Sequence, residues 1–167
     1  EKYDITYGLG DFFTNQVLEK ANKNINIEID GSDEKNINID VDIEEDLMLN
    51  ADKELTSIIW NNLYSNAFKF TEDSGEVSIN AKSENNFIII SISDNGCGMS
   101  KDTGKHIFEK FYQGDTSHAT NGNGLGLALV KRIIDIMNAD IYIESTLGKG
   151  TTFTVKLDLN KNKIYNI

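Results

Sequence analysis

Apolar residues recur at helical spacing in three stretches of the chain. In residues 53–69, one face collects Leu55, Ile58, Ile59, Leu63, Phe68 and, at its end, Phe70. Asp52 stands directly before this stretch, where a carboxylate can accept hydrogen bonds from the first N–H groups of a helix. The pattern therefore predicts a long helix over residues 53–69, and similar patterns predict helices over residues 9–22 and 125–138.

Other segments alternate apolar and polar residues, which is typical of strands with one buried face. The alternation predicts strands over residues 25–29, 37–43, 47–51, 76–82, 87–93, 140–145 and 151–159. Residues 87–93 are apolar on both faces in their first half, so we expect that strand to be central in its sheet.

The segment from residue 94 to residue 124 lacks this regularity. It contains a short helical pattern over residues 104–112 and then about a dozen residues whose only apolar anchor is Ala119. A loop of that length inside a compact domain is more often a lid or a binding loop than a connector. The sequence therefore predicts such a loop after residue 112.

Composition and charge narrow the class of protein. The 167 residues, 39% of them hydrophobic, fit one globular domain with its own core. A formal net charge of −11 argues against binding nucleic acid through a broad basic surface, and it disfavours an anionic membrane surface. Cys97 is the single cysteine, which suits a reducing cytoplasm. There is no apolar run of membrane-spanning length and no signal-peptide pattern, so we expect a soluble, cytoplasmic chain.

Three polar residues share one stripe of the long predicted helix. Asn62, Asn66 and Lys69 are separated by four and three positions, which places them on the same side. One interpretation of this stripe is a solvated face. The other is a site for magnesium and phosphate, because Mg²⁺ takes oxygen ligands, keeps several waters and binds readily to nucleotide phosphates.

Three glycine-containing segments are further candidates for ligand binding. DNGCG at residues 94–98 ends the predicted central strand; it is either a plain turn or a site where Asp94 accepts a hydrogen bond from an exocyclic amine. GNGLGL at residues 122–127 opens a predicted helix, where backbone N–H groups can face phosphate, although its spacing is not that of a dinucleotide-binding fingerprint. GKGTT at residues 148–152 predicts, by itself, a hairpin turn.

Taken together, the order and spacing of these segments resemble the catalytic and ATP-binding domain of sensor histidine kinases, within the superfamily of gyrase, chaperone and mismatch-repair ATPases. The matching segments, known there as the N, G1, F, G2 and G3 boxes, are NNLYSNAFKFT (61–71), DNGCGM (94–99), IFEKFYQGD (107–115), NGNGLGLALVKRI (121–133) and STLGKGTTF (145–153). The resemblance implies an α/β (α+β) two-layer sandwich of the Bergerat type, a mixed sheet of about five strands with three helices on one face.

The resemblance also implies roles for individual residues. Asn66 would coordinate magnesium with help from Asn62, and Lys69 would contact phosphate; these three are the expected catalytic residues. Asp94 would bind the adenine amino group, partly through a water shared with Thr151. Residues 113–124 would form the ATP lid, with Phe108 and Phe111 packing at its root or serving as plain core residues. The rest of the expected ATP site comprises Phe70, Gly96, Gly98, Met99, Ile107, Tyr112, Gly122, Gly124, Leu125, Gly126 and Leu127.

Two departures from the family pattern bear on activity. Gln113 stands where the family often carries a basic residue near the γ-phosphate. His106 lies in the F box and His118 in the lid, so neither matches the acceptor histidine, and no phosphoacceptor helix hairpin is present. We therefore expect a monomeric catalytic fragment that binds Mg-ATP without autophosphorylating. In a longer, homodimeric and membrane-anchored kinase it would phosphorylate the histidine hairpin, which in turn would serve a response regulator receiver domain.

Three other functions on the same scaffold stay open. An ATP-hydrolysing conformational switch carries a glutamate general base four residues before the magnesium asparagine, and Asn62 occupies that position here. A serine kinase shares the nucleotide boxes, but the pattern IFEKFY favours a histidine kinase. A nucleotide-free interaction module is disfavoured by the intact boxes at Asn66, Asp94 and the glycines.

Overall fold

The computed structural model describes residues 4–13, 15, 35–113 and 124–160. Seven strands lie in this part of the chain: β1 (Asp4–Gly8), β2 (Asn38–Ile43), β3 (Met48–Asp52), β4 (Glu76–Glu84), β5 (Phe87–Asp94), β6 (Asp140–Thr146) and β7 (Gly150–Asp158). β2 to β7 confirm six predicted strands to within two residues at each end. The strand predicted over residues 25–29 lies outside the described residues.

Five of these strands form one mixed sheet in the order β2-β4-β5-β7-β6. β2 pairs with β4 in parallel and the other neighbours pair antiparallel. β5 lies in the middle, as its apolar first half predicted. Its register with β7 sets Asp94 opposite Thr151 at one end and Phe87 opposite Asp158 at the other. Two predicted ligand-binding residues therefore lie side by side at one end of the sheet.

The described residues contain four helical segments, one more than expected. They are α1 (residues 9–13), α2 (Lys53–Phe70), α3 (Lys101–His106) and α4 (Gly126–Ile136). The additional segment is α3. It overlaps the helical pattern predicted over residues 104–112 but begins three residues earlier and ends at His106, after which the chain continues in turns. The remainder of the helix predicted over residues 9–22 lies outside the described residues, apart from residue 15, which is helical.

Helix α2 begins and packs largely as its sequence predicts. The Asp52 carboxylate accepts hydrogen bonds from the N–H groups of Glu54 at 2.9 Å and Leu55 at 3.0 Å, so it is the N-cap. The prediction that Phe70 belongs to the buried face is wrong, because this last helical residue is 37% exposed. The buried side of α2 comprises Thr56, Ile59, Trp60, Leu63, Tyr64, Ala67 and Phe68.

The main core lies between the helices and one face of the five-stranded sheet. α2 packs against β5 and α4, and the buried sheet positions include Ile79, Ile90 and Val155. A second sheet pairs β1 with β3, and here α1 brings Phe13 to 5.6 Å from the ring of Trp60. No described helix is both long enough and apolar enough to span a membrane.

Candidate functional site

The loop that follows β5 connects three elements at one end of the sheet. The Cys97 N–H donates to the carbonyl of Phe70, the last residue of α2, at 3.2 Å, and the Cys97 carbonyl accepts from the Gly148 N–H at 2.7 Å. A Cβ on Gly96 would overlap the Phe70 carbonyl, and a Cβ on Gly98, where φ is 61°, would overlap the Thr146 carbonyl. Glycine is therefore required at both positions for the loop to pack between α2 and the β6–β7 turn.

Asp94 is a half-buried carboxylate at the start of this loop. Its Oδ1 accepts a hydrogen bond from the Gly96 N–H at 2.9 Å, which fixes the orientation of the group. Burial raises the pKa of Asp94, while hydrogen bonds from the backbone of Gly96 and Thr151 act in the opposite direction. A carboxylate held in this way is suited to accept a hydrogen bond from an N–H donor of a ligand.

The β6–β7 hairpin supplies hydroxyl groups next to Asp94. Thr151 is buried, and its Oγ1 lies 2.9 Å from the Oγ of Ser145. Ser145 Oγ also accepts from the Met99 N–H at 2.8 Å. Sequence reasoning did not single out Ser145, although it opens the matching segment STLGKGTTF. Its only signal was this position before a glycine-rich turn.

The predicted polar stripe lies on α2, with Asn62, Asn66 and Lys69 all half-buried. Asn62 Nδ2 donates to the Ile58 carbonyl at 2.8 Å, and its Oδ1 faces the start of α4, where a Cβ on Gly126 would overlap it. The structure thus brings Asn62 and Gly126 together. Asn66 makes no side-chain hydrogen bond to any residue in the described ranges. The Lys69 Nζ lies 5.3 Å from the centroid of the Phe70 ring.

The borders of the predicted lid meet through the backbone. The Phe111 N–H donates to the Gly124 carbonyl at 3.0 Å, and Gly124 has a φ of 67°. Leu125, the N-cap residue of α4, has an apolar side chain and so cannot cap the first N–H groups, which suits an anion at this end. Leu127 is half-buried, and the predicted ligand residue Gly122 lies outside the described residues.

In the F-box segment, residues 107–115, one of the two phenylalanines does not pack as expected. Phe108 is half-buried against the core, but Phe111 is 71% exposed, so its ring does not pack at the lid root. Phe111 has a φ of 63°, and this backbone turns its N–H rather than its ring toward the lid border. Ile107 is buried, and the ring of the half-buried Tyr112 lies 5.5 Å from the ring of His106, centroid to centroid, at a tilt of 37°.

The oxygen donors at this site fit magnesium better than a soft metal. Within the described ranges, no group of three or more His, Cys, Asp or Glu side chains is arranged to hold a metal ion. Burial and the nearby Asp94 charge raise the pKa of the Cys97 thiol, which therefore stays protonated at neutral pH. The amide oxygens of Asn66 and Asn62 are hard, neutral ligands, and Mg²⁺ accepts one or two such groups beside water and phosphate.

Comparison with known proteins gives the family. The profile described as "Histidine kinase-, DNA gyrase B-, and HSP90-like ATPase" matches residues 51–161. The chain belongs to this ATPase family. Curated relatives named as histidine kinases include the circadian input-output histidine kinase CikA of Synechococcus elongatus, which is 45% identical over 96 residues; these make up 56% of this chain and 13% of that protein. The chain spans between 12% and 26% of the length of the curated relatives it matches.

Solved structures of histidine kinases share the fold of this ATPase domain. The catalytic domain of ThkA superimposes with a TM-score of 0.78 at 21% identity, covering 96% of this chain and 99% of that one. Full-length ShkA in complex with AMPPNP gives a TM-score of 0.75 at 26% identity, covering 94% of this chain and 31% of that one. The predicted α/β sandwich and the resemblance to histidine kinase catalytic domains are confirmed, and the roles of individual residues stay predictions.

Proposed function

We propose that this ATPase domain binds Mg-ATP and presents the γ-phosphate to a histidine side chain, as the catalytic part of a sensor histidine kinase. The observation that carries the proposal is that α2 contacts both the loop after β5, through Phe70 and Cys97, and the start of α4, through Asn62 and Gly126. The fixed carboxylate of Asp94 lies at the end of β5, the stripe with Asn66 lies on α2, and α4 begins beside Asn62. These elements offer, in turn, groups suited to a base, a metal ion and phosphates.

The base of the nucleotide would lie between β5 and the β6–β7 hairpin. Asp94 would accept a hydrogen bond from the amino group of adenine, with Thr151 opposite it on β7. The glycines at residues 96 and 98 let the loop backbone approach the base closely. Met99, Ile107, Phe70 and Tyr112 would form the surrounding walls.

The phosphates would lie between α2 and the start of α4. Asn66 and Asn62 would hold Mg²⁺ through their amide oxygens, and the bound ion would neutralise charge on the phosphate oxygens. Lys69 would add a positive charge from α2, and Gly124 to Leu127 would add backbone N–H groups. Gln113 would contribute hydrogen bonds without charge, so more of the charge stabilisation falls to Lys69 and α4.

The residue types on α2 favour transfer to a nitrogen over hydrolysis. Hydrolysis in this family needs a carboxylate to activate water, and Asn62 at that position has an amide whose Nδ2 donates to the Ile58 carbonyl. A neutral imidazole nitrogen already has a lone pair for attack on phosphorus. A P–N bond then forms as the bond to the bridging oxygen breaks, and ADP leaves. The acceptor would belong to a helix hairpin, which passes the phosphoryl group to a response regulator.

Calorimetric titration with ATP and ADP, with and without magnesium, tests the binding step. Wild type should bind ATP, and Asp94→Asn should lose at least about tenfold in affinity, because the amide replaces one acceptor oxygen with a donor. Asp158→Asn is the matched control at the opposite end of the same strand pair and should bind as wild type. Unchanged affinity in a folded Asp94→Asn variant would contradict the base site.

A second experiment tests the transfer step. The domain is fused to a histidine-bearing hairpin and incubated with labelled Mg-ATP. Phosphate that is lost in acid and retained in alkali is expected on the hairpin, as for phosphohistidine. Phosphate released to water at the same rate with and without the hairpin would instead indicate hydrolysis.

A further inference from the structure

Ser145 is a hydrogen-bond junction beside the proposed base site. It lies near the end of β6 and is half-buried. Its Oγ accepts from the Met99 N–H at 2.8 Å, and it lies 3.1 Å from the Gly150 carbonyl and 2.9 Å from Thr151 Oγ1. A single hydroxyl group therefore links the loop after β5 to the first two residues of β7.

The number of protons available fixes the direction of these hydrogen bonds. A serine hydroxyl donates one hydrogen bond and accepts up to two. The Met99 N–H can only donate and the Gly150 carbonyl can only accept. All three contacts are satisfied when Ser145 donates to Gly150 and Thr151 donates to Ser145. In that arrangement the Thr151 hydroxyl has no proton left for a ligand and presents only lone pairs.

This direction matters because Thr151 stands directly opposite Asp94 in the β5–β7 register. The Asp94 carboxylate is also an acceptor, so the two strands present acceptors side by side. Neighbouring acceptors favour a group with two protons, such as the 6-amino group of adenine, and they disfavour a carbonyl at the same position. The selection also passes through a water molecule that donates one proton to Asp94 and the other to Thr151, because only the lone pairs of that water then face the base.

We propose that Ser145 is a positioning residue that sets the preference for an aminopurine base by fixing Thr151 as a hydrogen-bond acceptor. The proposal rests on the proposed function, since it concerns the base of the same nucleotide. Removal of the Ser145 hydroxyl frees the Thr151 proton, which can then turn toward a ligand. A base with a carbonyl at carbon 6, as in inosine triphosphate, would then find a donor.

The same two strands provide a matched control. Ser93 and Thr152 lie one position from Asp94 and Thr151, and their hydroxyl oxygens are 2.7 Å apart. Because side chains alternate along a strand, this second pair lies on the opposite face of the sheet from Asp94 and Thr151. Ser93→Ala therefore removes a comparable hydroxyl pair without touching the proposed site.

The test compares the affinities of ATP and inosine triphosphate by calorimetry in wild type, Ser145→Ala and Ser93→Ala. Both nucleotides carry the same phosphates, so the ratio of their affinities reports on the base alone. Wild type and Ser93→Ala should prefer ATP to the same degree. In Ser145→Ala the preference should fall by about three- to tenfold, the loss expected for one hydrogen bond.

The possible outcomes separate this proposal from the proposed function. An unchanged preference in Ser145→Ala overturns the role of Ser145, and so does an equal loss of both nucleotides, which is what a merely structural role produces. Ser145→Thr, which keeps a hydroxyl, should keep the preference. Ser145→Cys, a near-isosteric change, should lose it and decides the question if the alanine variant does not fold. A wild type that binds neither nucleotide overturns both proposals.

Discussion

Helix α2 uses its polar side chains differently in its two halves. In the first half, Asp52 caps the helix, and Thr56 Oγ1 donates to the Asp52 carbonyl at 2.9 Å and lies 2.6 Å from the Tyr7 hydroxyl. In the second half, neither the Asn66 amide nor the Lys69 ammonium makes a hydrogen bond or an ion pair within the described ranges. Both of these residues are nevertheless half-buried.

The difference separates stability from binding along one helix. Polar groups in folded proteins are nearly all hydrogen-bonded when they are removed from water, as Thr56 and Tyr7 are. The half-buried side chains of Asn66 and Lys69 have no such partner among the described residues, so they are available to a ligand. Changes in the first half of α2 should therefore alter the free energy of unfolding, and changes in the second half should alter affinity for ATP.

The largest effect is expected at Gly96, which packs on the C-terminal end of α2. In Gly96→Ala the new Cβ would overlap the Phe70 carbonyl, so the loop must shift, at a cost of about 3 kcal/mol in unfolding free energy. ATP affinity should fall with it. Gly104→Ala, in α3, is the control. No atom lies within 4 Å of its added Cβ, and the free energy of unfolding should rise by about 0.5–1 kcal/mol because alanine favours a helix over glycine. Urea unfolding measures the stability of both variants. Equal unfolding midpoints for Gly96→Ala and Gly104→Ala would show that the added Cβ of Gly96→Ala costs nothing in packing.

A smaller loss, confined to stability, is expected in the first half of α2. Thr56→Val keeps the shape of the side chain but leaves the buried Tyr7 hydroxyl without its partner, at a cost of about 1–3 kcal/mol. ATP affinity should stay at the wild-type value. Ser57→Ala, which removes only an exposed hydrogen bond to the Lys53 carbonyl, should change stability by less than about 0.5 kcal/mol. A loss of ATP affinity in folded Thr56→Val would break the division between the two halves.

The converse result is expected at Asn66. Asn66→Ala should lower the ATP affinity measured with magnesium by about tenfold, which removes most of the gain that magnesium gives wild type. The unfolding midpoint should stay unchanged. The exposed neighbour Ser65 provides the control variant, Ser65→Ala. Titrations with and without magnesium measure the effect. Retention of the full magnesium gain in Asn66→Ala would show that this amide is not a ligand.

The smallest effect concerns the pH dependence of stability. Because burial raises the pKa of Asp94, the folded protein holds this proton more tightly than the unfolded chain does. The resulting stabilisation is complete below the ordinary aspartate pKa of about 4, and it is lost as pH rises through the raised pKa of the folded state. The free energy of unfolding of Asp94→Asn should therefore rise relative to that of wild type between pH 3 and pH 7. If the free energy of unfolding of Asp94→Asn instead fell relative to wild type over that range, the pKa of Asp94 would be lowered by folding and not raised.

Much of the fold follows from local patterns in the sequence. The apolar faces of residues 87–93 predicted a central strand, and Asp52 predicted the start of α2, because both signals depend on neighbouring residues alone. β1 was not predicted, since its five residues carry no clear alternation and its pairing with β3 joins distant parts of the chain. The burial of Trp60 and Tyr64 was missed for a similar reason, because α1 and the helix packing cover them from outside their own helix.

The candidate site also has parts that local sequence patterns predict and parts that depend on contacts between distant segments. The stripe of Asn62, Asn66 and Lys69 follows from helical spacing, so the sequence predicts it directly. The pairing of Asp94 with Thr151 depends on strand register, and only the resemblance to a family suggested it. The junction at Ser145 depends on three contacts from different segments, which no local pattern encodes.

An NMR titration tests most directly whether ATP binds at the Asn66 and Lys69 side chains in the second half of α2. Amide resonances of the ¹⁵N-labelled domain are followed as Mg-ATP is added. We expect the largest shifts at the Asn66 side-chain amide and at the backbone N–H groups of Gly96, Gly98 and Gly126, with little change at Thr56. Saturable shifts that avoid these groups, or that centre on the first half of α2, would contradict the account.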